Sequence, residues 1–585
     1  MALLAGPGLA LAAEPPGSLV IRPGGSGAKP VERYPEKAGF LVIRPASSVT
    51  APDRTTSSPT LIGRSPAAPK NARLLPAPTS TRSKQLPDSK DDGKTVIETW
   101  DATFLRGQRV GYTHVVVREY ERDGKTFLYG IKTQKMTVAR FGQVVEQWGE
   151  DSTLESADGQ VLTTRMRQGL GREQKLSLAG KVKGNVLTVE IEGAAGGTQD
   201  VPFPDGVLGI AREATLLKDR KPKVGDVIDY LWYEGRLNRV VKFTATIKGV
   251  EELALYEGLK PRNYLRVEVA MEPLRDQDGR EFKLPSSTVW ADAETLEPLK
   301  MEAEMPSFGG KLTVIRTTKE AALMPPGRVP DLFDVQSIRL DRPIPNVHDQ
   351  TSVTYRVKLS GDLDPEKAFV RDGRQAVENL DAAAKAFDLT VRAGRPGVQG
   401  EKAVPAGKEF LSSNFFIDWD NEAVRVLAQQ AVAALPPTAN EWQKARAVEA
   451  WVHRNMKPAE FSQAMATCSN VAKSLSGDCT EYAMLAAGMC RALEVPSRTA
   501  LGVVYASGRD GKPYLAYHMW FEVFAEGRWT ALDATLGRSG IGPGHIKITD
   551  SSWHDEKSFA PLLPVLTVLS AQPKVEVLRV TGAGR

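Results

Sequence analysis

Apolar and polar positions alternate in short runs over residues 95–322, the period-two signature of strands with one buried face. Two such runs, Gly111-Tyr112-Thr113-His114-Val115-Val116-Val117-Arg118 and Thr126-Phe127-Leu128-Tyr129-Gly130-Ile131, flank Asp123-Gly124, a dipeptide suited to a tight hairpin turn. Asp158-Gly159 and Asp278-Gly279 repeat the signal, so the region predicts a large antiparallel β-sheet domain. A smaller β-rich domain is predicted over 330–405, with Ser352-Val353-Thr354-Tyr355-Arg356-Val357-Lys358-Leu359 its clearest strand. Beyond residue 410 the period lengthens. Cys479, Tyr482, Ala483, Ala486, Met489, Cys490 and Leu493 recur at helical spacing, which predicts a helix over 478–493. Residues 517–524 then read as a strand, Ala525-Glu526-Gly527 as a turn, and residues 528–533 as a second strand. The fold class is therefore α+β, with a C-terminal α+β domain over 410–570 behind the antiparallel β-sheet domains.

The chemistry concentrates where the period changes. Asp478 is a good N-cap and Glu481, three residues on, completes a capping-box pattern, so Cys479 becomes the first helical residue. Free backbone N–H groups and the helix dipole there favour a thiolate, the reactive form of cysteine. The two flanking acids oppose it, so a basic partner is needed. Gly477 before the cap leaves room for a substrate or another chain to approach. His518 is the candidate base. An even-numbered hairpin loop puts His518 and Asp533 on one sheet face, where the acid can hold one ring nitrogen while the other faces Cys479; an odd loop separates them. Activated thiol, base and orienting acid together point to acyl transfer. His545 and His554 follow in a loop-like stretch as runner-up bases. Trp520, Tyr482 and Trp529 are candidates for the walls of a substrate cleft.

Gly477-Asp478-Cys479, His518-Met519-Trp520 and Trp529-Thr530-Ala531-Leu532-Asp533 resemble the transglutaminase-like superfamily, whose core runs Gly-Asp-Cys on a helix, His-x-Trp on a strand and Trp-x-x-x-Asp on the next. Ala492-Leu493-Glu494-Val495-Pro496-Ser497-Arg498 looks like the family's helix end and following strand, and Trp442-Gln443-Lys444-Ala445 with Trp451-Val452 like its upstream helix. The resemblance covers about residues 410–553. Ala534 departs from the proline common after the acid, a position that shapes a turn. The resemblance implies a papain-like α+β domain with Cys479, His518 and Asp533 as catalytic triad and a protein or peptide substrate; from the motifs and composition, no cofactor and no metal site are expected. The superfamily holds crosslinking enzymes, proteases, deamidating enzymes and inactive members. Two functions follow as expectations: acyl transfer or hydrolysis at a glutamine amide or peptide bond, or a catalytically idle binding or envelope-scaffold protein that keeps the core for its shape.

Composition narrows the remaining classes. The 585 residues hold three cysteines and six histidines and lack His-Glu-x-x-His, Cys-x-x-Cys and Walker-type or dinucleotide-binding glycine patterns. A net charge of +5 without an aromatic-interleaved basic ribbon argues against nucleic acid, and the basic run at 218–223 reads as a solvated loop. Residues 1–13 resemble the rear of a signal peptide, which predicts export to the periplasm or the cell exterior, with Cys468–Cys490 a conceivable disulfide. No apolar run downstream is long enough to span a bilayer. Residues 14–92, rich in Pro, Ser, Thr and Gly, are expected to be a disordered linker, within which Leu-Val-Ile-Arg-Pro occurs at 19–23 and 41–45.

Overall fold

The computed structural model describes residues 93–582 apart from short internal segments, the longest of them 395–405 and 459–465. The signal-like segment, the linker and its repeats, and the Asp278-Gly279 turn lie outside the described residues.

Alternation becomes a sheet as its period demands. Along Val227–Glu234 every second residue, Ile228, Tyr230, Trp232 and Glu234, is buried, and along Arg239–Leu253 so are Val241, Phe243, Ala245 and Ile247. Asp123-Gly124 takes φ values of 51° and 67°, the positive pair of a two-residue hairpin turn closed by Arg122 against Lys125. Fifteen strands between Lys94 and Thr317 form one sheet, antiparallel except where Val207–Leu208 pairs parallel with Val227–Glu234. Its two outermost strands, Gly197–Pro202 and Val207–Leu208, are neighbours in sequence. The sheet therefore curls until its ends approach. Val201, Phe203 and Val207 share one apolar cluster, and Asn238 Nδ2 donates to Gln199 Oε1 at 2.8 Å. A helix, Ile210–Arg220, docks by its N-terminus: Glu155 and Thr153 on a sheet strand accept from the Ile210, Ala211 and Arg212 backbone N–H groups.

The smaller sheet differs from its expected bounds. Ser352–Lys358 sits between Ala386–Arg392 and Lys574–Thr581, so its fourth strand comes from beyond residue 570.

The C-terminal α+β domain is built round the helix Cys479–Ala492. Every residue from Cys479 to Arg491 is buried, because helices Glu422–Val432, Glu441–Asn455 and Cys468–Ser474 cover it on one side and the strand Pro513–Ala525 on the other. At Gly488 a Cβ would stand 2.6 Å from Cys468 Sγ, so only glycine allows that helix contact. The one charged residue of the buried helix in its last turn, Arg491, donates to Ser412, Ser497 and Ser552 carbonyls. Among the described residues no helix is long and apolar enough to cross a membrane.

Candidate active site

The helix begins where its cap dictates. Asp478 Oδ1 accepts from Thr480 N at 2.9 Å, and Glu481 Oε2 accepts from Asp478 N at 3.0 Å, a complete capping box that makes Cys479 the first helical residue. The acids were expected to oppose a thiolate. Both are wholly buried, however, and burial with Glu481's charge pushes Asp478 well above the carboxylate range; burial raises Glu481 too. Burial thus disfavours the charged form of both acids, and the opposition weakens. Gly477 also has a role other than the one expected. A Cβ there would lie 2.3 Å from Glu481 Cβ, so the glycine makes room for the capping side chain and not for a substrate.

Helix Glu441–Asn455 ties the site together. Tyr482 donates its hydroxyl hydrogen to the carbonyl of Met456, the residue that ends that helix, and Lys457–Pro458 pairs with Ser476–Gly477 just before the thiol. From the same helix, Glu449 Oε1 accepts from Asp533 N and Ser539 N.

The strand Pro513–Ala525 packs against the Cys479 helix and carries His518. Glu526-Gly527 turns it back with φ values of 54° and 74°, a two-residue loop closed by Ala525 against Arg528. The even count matters. Phe521 pairs with Leu532, which sets Asp533 opposite Trp520 and makes His518 its diagonal neighbour on the same face. His518 Nε2 donates to Asp533 Oδ2 at 2.8 Å. On that side the strand is paired through Tyr514 and Leu515 with Ile338–Arg339, and from Phe521 onward with Arg528–Leu532. His518 lies in the gap between the two partners.

A residue ranked low by sequence reasoning joins them. His545 does not lie in a loop but opens the strand His545–Ser551, and its Nε2 donates to the same Asp533 oxygen at 2.9 Å. The alternating Ile546, Lys547, Ile548 was the strand signal available in the sequence. Asp533 Oδ1 accepts from Thr535 N at 2.8 Å and Leu536 N at 3.4 Å, so both oxygens are engaged. Burial works against the Asp533 charge, but the charge and hydrogen bond of His518, with those of His545, hold its pKa far below the usual carboxylate range. Burial lowers His545 to about 4 against the pull of Asp533, which leaves its ring neutral. Glu449 is pushed up to about 8 by burial and then by Asp533's charge. Atoms of His518, Asp533 and His545 lie within 4.8 Å of one another, the spacing of a metal-ligand set. Both Nε2 atoms meet one oxygen at hydrogen-bond distance, so protons account for that spacing.

A charged cluster anchors both histidine strands. Fully buried Lys547 binds Glu522 at 2.7 Å and Asp550 at 2.8 Å, and Arg498 closes onto the same two acids at 2.7 and 2.9 Å. Burial opposes the Glu522 charge, yet Lys547 and Arg498 bring its pKa down to about 2.

The candidate cleft walls divide. Trp520 is fully buried with Ala500, Ala531 and Ile541, and Tyr482 is buried with its hydroxyl spent on Met456, so both are packing residues. Trp529 is half-buried, with Phe410 against its ring edge and the Arg498 guanidinium 4.1 Å above its face. Phe410 and His554 line a groove of about 1040 Å³ between residues 199–202 and 237–239 of the large sheet and residues 408–412 and 549–554. The conceivable disulfide is not formed: Cys468 Sγ donates to Met484 O, and Cys468 and Cys490 are buried free thiols.

Residues 426–534 match the family model described as Transglutaminase-like superfamily. No curated protein matches the chain. Among solved structures it is similar to a Cytophaga hutchinsonii protein proposed to be a cysteine protease, at 16% identity over 39% of this chain and 83% of that one, with a TM-score of 0.24. A β-barrel-like protein of a domain family of unknown function from Brucella abortus matches at 12% identity over 38% of this chain and 94% of that one, TM-score 0.27. The periplasmic domain of TgpA from Pseudomonas aeruginosa, solved with ethylmercury bound, matches at 15% identity over 32% and 91%, TM-score 0.20.

Proposed function

From a chain that carries a transglutaminase-like core over residues 426–534, we propose a cysteine-dependent enzyme acting on a protein glutamine amide or a peptide bond. The observation that carries this reading is the His518–Asp533 hydrogen bond, on a strand packed against the helix that begins with Cys479. Bonding through Nε2 leaves His518 Nδ1 for the thiol. His545 is not the base, because its Nδ1 is buried without a hydrogen-bond partner among the described residues.

In the proposed reaction the Cys479 thiolate attacks the carbonyl carbon, and the Cys479 backbone N–H at the helix start helps hold the oxyanion. The tetrahedral intermediate collapses to a thioester as the His518 imidazolium protonates the departing ammonia or amine. Water then releases an acid, or an acceptor amine a new amide, and in either case His518 takes up the incoming nucleophile's proton. Asp533, kept ionised by its four donors, holds the imidazole and balances its charge. We assign the enzyme to an extracytoplasmic compartment, on the strength of the signal-like segment.

One observation favours the idle-scaffold reading: Cys479 is only 1% exposed. Alkylation with iodoacetamide at pH 6, mapped by peptide mass spectrometry, separates the two. Selective labelling of Cys479, lost in His518→Ala, supports the enzyme; Cys479 labelled no faster than Cys490 overturns it. Burial drives the Cys468 and Cys490 thiols far above their ordinary pKa, so both are built-in slow controls.

A further inference from the structure

Two histidines share one oxygen of Asp533, yet the proposed reaction uses only one of them. We propose that His545 is a positioning residue that tunes the base: by donating to the oxygen His518 uses, it keeps the His518 imidazolium acidic enough to release its proton to the leaving amine. This rests on the reading of Cys479, His518 and Asp533 as a triad.

The geometry carries the argument. His545 is fully buried, with the Trp520 ring edge-on at 5.3 Å and the His348 ring at 5.3 Å, so it is wedged in one orientation. Its Nε2 faces an ionised carboxylate and therefore bears the proton; Nδ1 has no hydrogen-bond partner among the described residues. The ring is thus a neutral donor that stabilises negative charge without adding positive charge. When His518 is protonated, Asp533 is already solvated by an ion pair and gains less from a second donor. After His518 loses its proton, the carboxylate stands alone in a buried site and gains more. The His545 bond therefore favours the deprotonated state of His518 and lowers its affinity for the proton. The other ionisable groups that bear on this cluster are His348 from the turn Val347–Asp349, Glu449 from helix Glu441–Asn455, Arg538 and Arg374, and all four remain unchanged in the test.

The test titrates His518 by NMR in the full chain with labelled histidines, in a Cys479→Ser background. His545→Leu is expected to raise the His518 midpoint by about one pH unit, the value of one hydrogen bond to a charged group. His545→Gln, whose side-chain N–H can take the place of Nε2–H, is expected to bring it back. A residue that merely fills space would leave the midpoint unchanged or lower it by loosening the site, and either result overturns the proposal. Should His545→Leu not fold, the unsubstituted Cys479→Ser chain still decides: His545 must stay neutral with its proton on Nε2 above pH 5, and titration near its ordinary 6.5 refutes the idea. Failure of the triad reading itself would appear separately, as unselective alkylation of Cys479 in the native chain.

Discussion

Asp533→Asn should move the same midpoint the opposite way. The carboxylate accepts four N–H groups, two imidazoles on Oδ2 and two backbone amides on Oδ1. An asparagine has one acceptor oxygen, so it satisfies one side and presents an NH2 group to the other. If the oxygen faces the imidazoles, the half-buried Thr535 amide loses its side-chain acceptor while Leu536 N keeps the Asp533 carbonyl at 3.2 Å, so the cost is about 1 kcal/mol, the low end for an unsatisfied donor. If the NH2 faces the imidazoles, His518 must present a lone pair at Nε2 and carry its proton on Nδ1, the tautomer that cannot accept from the thiol. Stability falls in the first case and function in both. The lost charge, 2.8 Å from Nε2, should lower the His518 midpoint by roughly 1–3 units, the ordinary effect of removing a neighbouring opposite charge. Thiolate content at pH 6 follows the imidazolium, so Cys479 alkylation should slow by roughly ten- to a thousandfold. Histidine NMR in the Cys479→Ser background and alkylation kinetics in the parent measure the two effects. An unchanged midpoint together with native alkylation would mean that Asp533 only shapes the turn.

Three further outcomes follow from the same geometry. Glu449, raised to about 8, stabilises the fold while protonated and loses that contribution as pH climbs from its ordinary 4.5 through 8. His545, lowered to about 4, adds stability with rising pH only up to its ordinary 6.5. Between pH 6.5 and 8, then, urea denaturation should show a decline of about 2 kcal/mol that Glu449→Gln removes, and an equal slope in both proteins would exclude Glu449 as its source. Lys547→Met strands Glu522 and Asp550 with Arg498 alone and should cost roughly 3–5 kcal/mol, part of it recovered by adding Glu522→Gln; a cost under about 1 kcal/mol would show the cluster to be wet and weak. Cys479→Ser should leave the unfolding free energy from urea denaturation within about 1 kcal/mol of native while abolishing turnover, because oxygen replaces sulfur at a helix end with little volume change.

What could be read from the sequence was local. The cap at Asp478, the capping box with Glu481 and the start of the helix at Cys479 depend on four consecutive residues, and they form as those residues dictate. The meeting of His518 and Asp533 depended on the parity of one turn, and Glu526-Gly527 supplies the two-residue loop with both φ values positive. What escaped was set by strand order. His545 reaches Asp533 because His545–Ser551 pairs on the far side of Ser497–Ser507, a neighbour relation that no spacing in the chain encodes. Glu449 carries no mark in the sequence that sets it apart from other helical glutamates; only the path of residues 533–540 back over its helix makes it a buried acid.

The position of His518 joins the two kinds of information. Alternation along 513–525 places it on the sheet face it shares with Trp520 and Glu522, which is a local fact. That its strand edge lies between two pairing partners is not local, because one of them, Ile338–Arg339, comes from about 180 residues upstream. An unbroken partner strand would occupy the edge beside residues 516–520, where the chain after Leu532 now turns away and Asp533 enters beside the ring. The short upstream strand closes the edge early, the hairpin closes it late, and the opening left between them is where imidazole and carboxylate meet. Lengthening the upstream pairing should therefore harm the site before it harms the fold, since strand pairing would gain while Asp533 lost its place.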